Sequence, residues 1–316
     1  MHCENEKYIL TLIYSGDEEY KPAIVNVTLT LTPVGGKINA TIQMDNYTVK
    51  YSETENIVVN LNNDAFGSVL FEINNTDVSE IVNFTDGNCV FAYTANLNPG
   101  EYDLIATYTG NYMYRPISVN STLKIEKLSS KITVENVTAK AGNVTLFEAK
   151  VVDELGNNIK NMNVNFSLNE NLIGSNKTNS DGIVRLYYKL PASLYEKQYN
   201  IIARSTATET VLNSTGYATL KLKQLKTRVM VPDISTIPSK YITITATVVD
   251  EFNNSVTKGN ITFKKDNTTI ATVEVDNGYA KYQYESNYET ASLSYIYANY
   301  VGDWKYSNSK GNGTYK

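Results

Sequence analysis

The chain has 316 residues, of which 42% are hydrophobic, and a formal net charge of −5. This hydrophobic content excludes a chain that is disordered by composition. The mild acidic charge, without a basic block, argues against a nucleic-acid-binding face. His2 is the single histidine, so histidine-centred catalysis and histidine metal sites are close to excluded. The longest apolar runs have the length of strands, so we expect no membrane-spanning helix.

The pattern in residues 100–126 predicts two strands joined by a loop. Apolar side chains alternate from Tyr102 to Tyr108, a turn follows at Gly110, and Leu123 and Ile125 resume the alternation. Such a period of two is what a half-buried strand requires. The same pattern recurs in residues 8–31, 199–222 and, more weakly, 296–302. A recurrence of about 95 residues predicts tandem domains rather than a solenoid.

In chain order, residues 1–32 contain only the last hairpin of such a repeat. The alternating side chains of its two strands would have no sheet to cover them, and an isolated hairpin is marginal in water. We therefore expect that the chain is truncated upstream and that this hairpin is its least ordered part unless it docks on the next domain. The N-terminal residues lack the apolar core of a signal peptide.

Three complete repeats follow, at residues 33–127, 128–223 and 224–316. In the first, strands are predicted at 37–44, 57–62, 68–73, 78–84 and 89–94, before the hairpin in 100–126. Cys89 shares the inward parity of Phe91 and Tyr93, so a buried free thiol is expected rather than a disulfide with Cys3. The second repeat opens with a strand at 132–137, and the third repeats its order.

Each repeat has about seven short strands, with turn signals between them and no helical periodicity. The predicted fold is all-β, with tandem antiparallel β-sandwiches that have Greek-key-like connections. The joins between repeats are short and contain neither Gly nor Pro, which favours a rod. At ~3.3 Å per strand residue, the rod would reach on the order of 120 Å.

The repeated order is Val-Val-Asp-Glu, an Asn/Gly loop, x-Phe, Asp/Asn-Gly, Tyr-x-Leu/Ile-x-Ala and Tyr-x-Gly-x-x-x-Tyr. It resembles the immunoglobulin-like repeats of large adhesin-like surface proteins of methanogenic archaea and Gram-positive bacteria. The resemblance implies an extracellular or cell-surface array that projects or displays, and sometimes adheres. The second repeat departs from it, because residues 205–210 replace the Tyr-x-Gly-x-x-x-Tyr loop.

Aromatic side chains in the hairpin loops are the best candidates for ligand binding, because flat rings can stack on sugar faces. These candidates are Tyr112, Tyr114, Trp304 and Tyr306. The alternative is a loop clamp, in which the second tyrosine packs on its own sandwich after the glycine kink. Its recurrence in three of four copies favours the clamp.

Two other patterns have a structural and a functional interpretation. Tyr8, Tyr102 and Tyr199 match the tyrosine corner of β-sandwiches, whose hydroxyl binds nearby backbone. The pairs Asp153/Glu154 and Asp250/Glu251 could form half of a Ca²⁺ site, but a solvated strand end is the simpler interpretation. No catalytic residue, cofactor or metal site is predicted, because nucleophile, phosphate-loop and metal-spacing motifs are all missing.

The leading hypothesis is therefore a monomeric, non-enzymatic surface protein whose repeats project or present a binding region located elsewhere. One alternative is a module that binds a glycan or protein of a host or neighbouring cell through the loop aromatics or a sheet face. Another is an accessory region of a larger extracellular enzyme. We expect no nucleic-acid partner.

Overall fold

The computed structural model describes residues 6–31, 36–74, 78–235, 241–286 and 293–316. The chain divides into two compact units, Met1–Leu128 and Ser129–Lys316. The described residues form strands, turns and loops, and none of them lies in a helix long and apolar enough to cross a membrane. The all-β prediction is therefore confirmed.

The N-terminal unit begins with an antiparallel hairpin. Its strands are β1 (Glu6–Tyr14) and β2 (Ala23–Leu31). The register places Tyr8 opposite Leu29. Within the described residues no third strand joins this sheet. Leu10 and Leu12 are 54% and 55% exposed, as expected for strands without a covering sheet.

The remaining strands of this unit form sandwich one. They are β3 (Ile38–Asn39), β4 (Ile42–Met44), β5 (Tyr47–Lys50), β6 (Thr54–Leu61), β7 (Gly67–Ile73), β8 (Val78–Phe84), β9 (Asn88–Thr94), β10 (Gly100–Tyr108), β11 (Tyr114–Arg115) and β12 (Ile117–Glu126). One sheet has the order β5-β12-β10-β7-β8 and the other the order β4-β6-β9, while β3 pairs with β11. The strand predicted at 78–84 is confirmed.

The prediction of one strand over 37–44 is wrong, because β3 and β4 join different sheets. The strand is interrupted at Ala40 and Thr41. Ala40 is buried, and the backbone N–H and hydroxyl of Thr41 both donate to the Asn62 side-chain oxygen. The sequence also missed β5, which pairs in parallel with β12. Sandwich one is thus antiparallel except for β5–β12 and β3–β11.

The C-terminal unit contains two more sandwiches. Sandwich two has β13 (Ser130–Val134), β14 (Val137–Ala139), β15 (Val144–Asp153), β16 (Asn163–Leu168), β17 (Asn171–Lys177), β18 (Ile183–Lys189), β19 (Gln198–Ser205) and β20 (Thr215–Leu222). Its sheets are β14-β20-β19-β16-β17 and β13-β15-β18. The strand predicted at 132–137 is therefore divided between two sheets. The parallel β14–β20 pair repeats the parallel edge of sandwich one.

Sandwich three follows after a short join at residues 223–226. Its strands are β21 (Thr227–Met230), β22 (Tyr241–Asp250), β23 (Asn260–Lys265), β24 (Thr268–Glu274), β25 (Tyr279–Glu285), β26 (Ser294–Val301) and β27 (Ser309–Tyr315). They form sheets with the orders β24-β23-β26-β27 and β21-β22-β25. Its register places Ala298 opposite Phe263 and Gly311.

Inward side chains of facing sheets meet in a separate core in each sandwich. In sandwich one, Phe71 and Phe91 come from different sheets and their ring centroids lie 5.0 Å apart. Phe147 and Phe166 meet in the same way at 6.4 Å in sandwich two. Cys89 is a fully buried free thiol, as predicted, and burial raises its pKa to about 11. Cys3 lies outside the described residues.

Candidate functional site

The Tyr-x-Gly-x-x-x-Tyr loop is a local structure built around the residue that follows the glycine. This residue is Asp17, Asn111 or Asp303, and its side-chain oxygen accepts two backbone N–H groups. In sandwich one the donors are Met113 and Tyr114, both at 2.8 Å. The same geometry recurs at Asp17 and at Asp303, with distances of 2.7–2.9 Å. A short Asx side chain is suited to this turn.

The glycine of the loop is required by a close backbone approach. Gly110 has a φ of 79°. A Cβ at Gly110 would lie 2.7 Å from the Tyr114 carbonyl oxygen. At Gly302 it would lie 2.0 Å from the corresponding oxygen of Tyr306. These distances are far below van der Waals contact, so the loop cannot hold a side chain there.

The second tyrosine of the loop is buried in both complete copies. Tyr114 is 4% exposed and Tyr306 is 3% exposed. The Tyr114 hydroxyl donates to Asp64 Oδ1 at 2.6 Å, a bond that raises the pKa of Tyr114. Burial raises the pKa of Tyr306. Both rings are therefore withdrawn from solvent, which favours the clamp interpretation for these two of the four candidate residues.

The hydrogen bond of the loop's first tyrosine identifies one further pair of equivalent positions in sandwiches one and three. Tyr108 donates its hydroxyl hydrogen to the Phe66 carbonyl at 2.9 Å. Tyr300 donates in the same way to the Lys258 carbonyl at 2.6 Å. Phe66 and Lys258 are thus equivalent positions, one in each sandwich.

Tyr112 remains exposed and pairs with the side chain at that aligned position. Tyr112 is 47% exposed and Phe66 is 37% exposed. Their ring centroids lie 5.6 Å apart, with planes tilted by 52°. We call these two side chains the Phe66–Tyr112 patch. Its place beside the hairpin loop could not be seen from the sequence, because 46 residues separate its two members.

Trp304 occupies the same loop position as Tyr112 but packs against sandwich two. Its ring meets Tyr195 of the β18–β19 loop edge-on, with centroids 5.4 Å apart and an interplanar angle of 77°. The Lys258 ammonium lies 4.3 Å from the Tyr195 ring centroid. The Tyr195 hydroxyl donates to Asp303 Oδ2. Sandwich three therefore holds Tyr195 through three of its side chains.

Lys305 adds a buried cation to the same contact. It is 3% exposed, and its Nζ donates to the Ala192 carbonyl at 2.8 Å. The ammonium lies 5.3 Å from the Tyr195 ring centroid. Burial lowers the pKa of Lys305, while the nearby carboxylates of Asp250 and Asp303 oppose that shift. The contact thus contains a desolvated lysine that both sandwiches surround.

An ion pair also joins sandwiches two and three. Lys140, in the β14–β15 turn, binds Glu251 at 2.8 Å, and the two side chains are partly buried, at 29% and 26% exposed. Glu251 also accepts the backbone N–H of Lys226 at 2.9 Å. The hydrogen bond from Lys140 lowers the pKa of Glu251. Beside it, the Phe252 ring lies over Gly142.

We call these contacts between sandwiches two and three the joint. The repeat pattern in the sequence does not single out Tyr195, Lys258 or Lys305. The available signal was Lys305 beside Trp304, at positions where sandwich one has Met113 and Tyr112.

The tyrosine corners are confirmed at Tyr102 and Tyr199. The Tyr199 hydroxyl accepts the backbone N–H groups of Tyr195 at 3.0 Å and Glu196 at 2.9 Å. Tyr102 donates to the Asn98 carbonyl. Tyr199 therefore fixes the loop that carries Tyr195 into the joint. The corner predicted at Tyr8 involves residues 1–5, which lie outside the described residues.

The acidic strand ends have a structural role. Asp153 Oδ1 accepts the N–H groups of Leu155 and Asn157 at 3.0 and 2.8 Å. Asp250 does the same in the equivalent loop of sandwich three. Within the described ranges, no group of three or more His, Cys, Asp or Glu side chains is placed to hold a metal ion. The geometry thus favours the strand-end interpretation over the calcium half-site.

No protein-family profile matches the chain, and a search of curated proteins finds no match either. A solved tetra-tandem repeat from the extending region of a large adhesion protein covers 98% of this chain and 81% of its own, at 12% identity and a TM-score of 0.51. A three-immunoglobulin-domain fragment of titin covers 88% of this chain and 98% of its own, at 10% identity and a TM-score of 0.42. An adhesin with which an Antarctic bacterium binds ice covers 98% and 80%, at 13% identity and a TM-score of 0.33.

The sheet orders and the likeness to the adhesion-protein repeat define the class of protein. The chain is an all-β protein composed of immunoglobulin-like β-sandwiches in tandem.

Proposed function

We propose that the chain is a non-enzymatic, adhesin-like stalk that spaces or presents a binding region at an extracellular surface. The observation that carries this proposal is the joint between sandwiches two and three. A spacer has to resist bending between its domains, and an interface with a buried, hydrogen-bonded lysine and an ion pair opposes such bending. The adhesion-protein repeat with the same fold comes from an extending region, which is the role proposed here.

The connection between the two sandwiches supports the same role. Residues 223–226 alone separate β20 from β21. Leu225 in this join is 1% exposed, and its backbone N–H donates to the Lys305 carbonyl at 2.7 Å. The join is therefore packed into sandwich three and is not a flexible linker.

The side chains that could have suggested catalysis also have structural partners. The carboxylates of Asp153, Asp250 and Asp303 accept backbone N–H groups of their own loops. The hydroxyls of Tyr108 and Tyr300 are hydrogen-bonded to backbone carbonyls. These groups support a framework rather than a reaction centre.

Small-angle X-ray scattering of the full chain tests the stalk proposal. A rod of about 120 Å, the length expected from ~3.3 Å per strand residue, has a radius of gyration of about 35 Å. A compact globule with the same number of residues has a radius of gyration of about 20 Å. A measured value near 20 Å would contradict the proposal. A value near 35 Å with a narrow cross-section would support it.

A second candidate function is ligand binding by the Phe66–Tyr112 patch. Its two exposed rings are Tyr112, in the hairpin loop of sandwich one, and Phe66, which lies beside that loop. Exposed aromatic rings can bind a glycan or a protein surface. Titration of the full chain with a glycan panel, followed by the tyrosine fluorescence of the wild type and of Tyr112→Ser, tests this candidate.

A further inference from the structure

We propose that the Phe66–Tyr112 patch is a docking surface for another immunoglobulin-like module. The part of that module that docks is the loop ahead of its corner tyrosine, the loop that carries Tyr195 in sandwich two. This inference rests on the stalk proposal and assigns an occupant to one of its surfaces.

Sandwiches one and three have four equivalent positions at this surface. Phe66 corresponds to Lys258, because each supplies the carbonyl that binds the first tyrosine of the loop. The next residue is a glycine with positive φ in both, at 126° in Gly67 and 109° in Gly259. Tyr112 corresponds to Trp304, and Met113 to Lys305, because the turn around the Asx residue is the same.

In sandwich three, Lys258, Trp304 and Lys305 contact the preceding module. The Lys258 and Lys305 ammonium groups lie 4.3 and 5.3 Å from the Tyr195 ring centroid. Trp304 meets the same ring edge-on. The surface formed by the hairpin loop and the aligned position is thus used, within this chain, to hold the β18–β19 loop of its neighbour. In sandwich one the same surface is exposed.

The side chains of the patch determine which residue it can accept. Phe66 and Met113 stand where sandwich three has lysines, so the patch offers no cation to an aromatic ring. Asn111 replaces Asp303. Its oxygen accepts two backbone N–H groups, and its amide nitrogen donates to the Phe66 carbonyl at 3.3 Å. The aligned position therefore offers no carboxylate to an incoming tyrosine hydroxyl, and the nearby Asp64 carboxylate already accepts the hydroxyl of Tyr114. The expected occupant is an apolar side chain such as leucine.

The polar groups beside the patch also favour a protein loop over a glycan as its occupant. Sugar recognition needs polar groups placed beside the aromatic rings, to bind the hydroxyls. The Asn111 side chain, a polar group of this loop, has its oxygen engaged by the loop itself and its amide by the Phe66 carbonyl. An apolar contact surface of this kind suits an apolar side chain from a packed neighbour.

The hairpin β1–β2 indicates the kind of module that the patch would accept. Tyr8 lies opposite Leu29, as Tyr102 lies opposite Leu123 and Tyr199 opposite Leu220. The hairpin thus has the register of the last two strands of an immunoglobulin-like module. In sandwich two the docking loop comes directly before the first strand of this pair, β19.

A graft in the full chain tests the proposal, with sandwich two as the occupant. The graft places the side chains of the patch in the joint, and changes Tyr195 to the predicted type of occupant. Its substitutions are Lys258→Phe, Asp303→Asn, Trp304→Tyr, Lys305→Met and Tyr195→Leu. Spin labels on one exposed residue of each of sandwiches two and three report the distance distribution between them. The matched control replaces Lys258, Trp304 and Lys305 by alanine.

The proposal expects the graft to keep a distance distribution as narrow as that of the wild type, while the alanine control broadens it. A graft as broad as the control would overturn the proposal. If the full graft does not fold, Lys258→Phe with Trp304→Tyr and Tyr195→Phe is compared with the control in the same way. A soluble glycan that binds the full chain, and whose binding is lost in Tyr112→Ser, would also overturn it. The stalk proposal depends on the radius of gyration of the wild-type chain, which is measured separately from these variants.

Discussion

Removal of one hydroxyl, in Tyr199→Phe, should weaken the C-terminal unit and loosen the joint. The Tyr199 hydroxyl accepts two backbone N–H groups, from Tyr195 at 3.0 Å and from Glu196 at 2.9 Å. Each bond contributes about 1 kcal/mol net to stability. Because Glu196 is exposed and Tyr195 is half-buried, water can replace part of the loss. We therefore expect a decrease of about 1–2 kcal/mol in the free energy of unfolding.

Trp304 provides the assay for this substitution. It is the only tryptophan of the chain, and its ring packs on Tyr195, in the loop that Tyr199 fixes. With a urea slope of ~2 kcal/mol/M, the midpoint of the first transition seen by tryptophan emission should fall by about 0.5–1 M. Tyr102→Phe is the matched control, since it removes a corner hydroxyl from sandwich one and should leave the tryptophan signal unchanged.

An unchanged midpoint in Tyr199→Phe would refute this reasoning. The corner hydroxyl would then contribute nothing to the loop that carries Tyr195. An equal effect in Tyr102→Phe would mean that tryptophan emission does not report the C-terminal unit alone.

Three further predictions concern other contacts. Cys89 should resist alkylation in the folded chain and react after denaturation, because burial raises its pKa to about 11, and peptide mass spectrometry separates it from Cys3. Gly110→Ala should lower the calorimetric melting temperature more than Gly36→Ala. Both glycines have positive φ, but only the Gly110 Cβ meets a backbone oxygen, at 2.7 Å, and equal shifts would contradict this. Acid should weaken the joint as the pH falls through the lowered pKa of Glu251. The ion pair with Lys140 stabilises the joint fully above the ordinary glutamate pKa of about 4.3, and this stabilisation is lost once Glu251 is protonated. Lys140→Met should therefore remove the part of the pH dependence of the tryptophan-detected midpoint that comes from this ion pair.

The sequence predicted the longer strands well because each has a strong local alternation. The strand β8 was predicted over its full length, although it could be mistaken for a helix. The sequence did not predict β5, and it predicted one continuous strand where the structure has β3 and β4. Strands of two to four residues have too few side chains for a period of two, and β5 exists because of a parallel pairing with β12, more than 70 residues away.

The loop clamp could be predicted in part, because it is local and recurs. The pattern gave both tyrosines and the glycine, and the Asx residue after the glycine recurs in all three copies but was overlooked. The joint could not be predicted from the alternation. Alternation reports which side chains face the core of one repeat, whereas Tyr195 and Lys305 meet only when two repeats are placed together.

The central claim is that each sandwich has its own core and that the cores act in series as a stalk. Stretching single molecules of the full chain tests this most directly. We predict three separate unfolding events, each releasing about 300 Å, since a repeat of about 95 residues extends by ~3.3–3.6 Å per residue less its folded length. A single event that releases the whole chain at once, or one in which sandwiches two and three always unfold together, would contradict the claim.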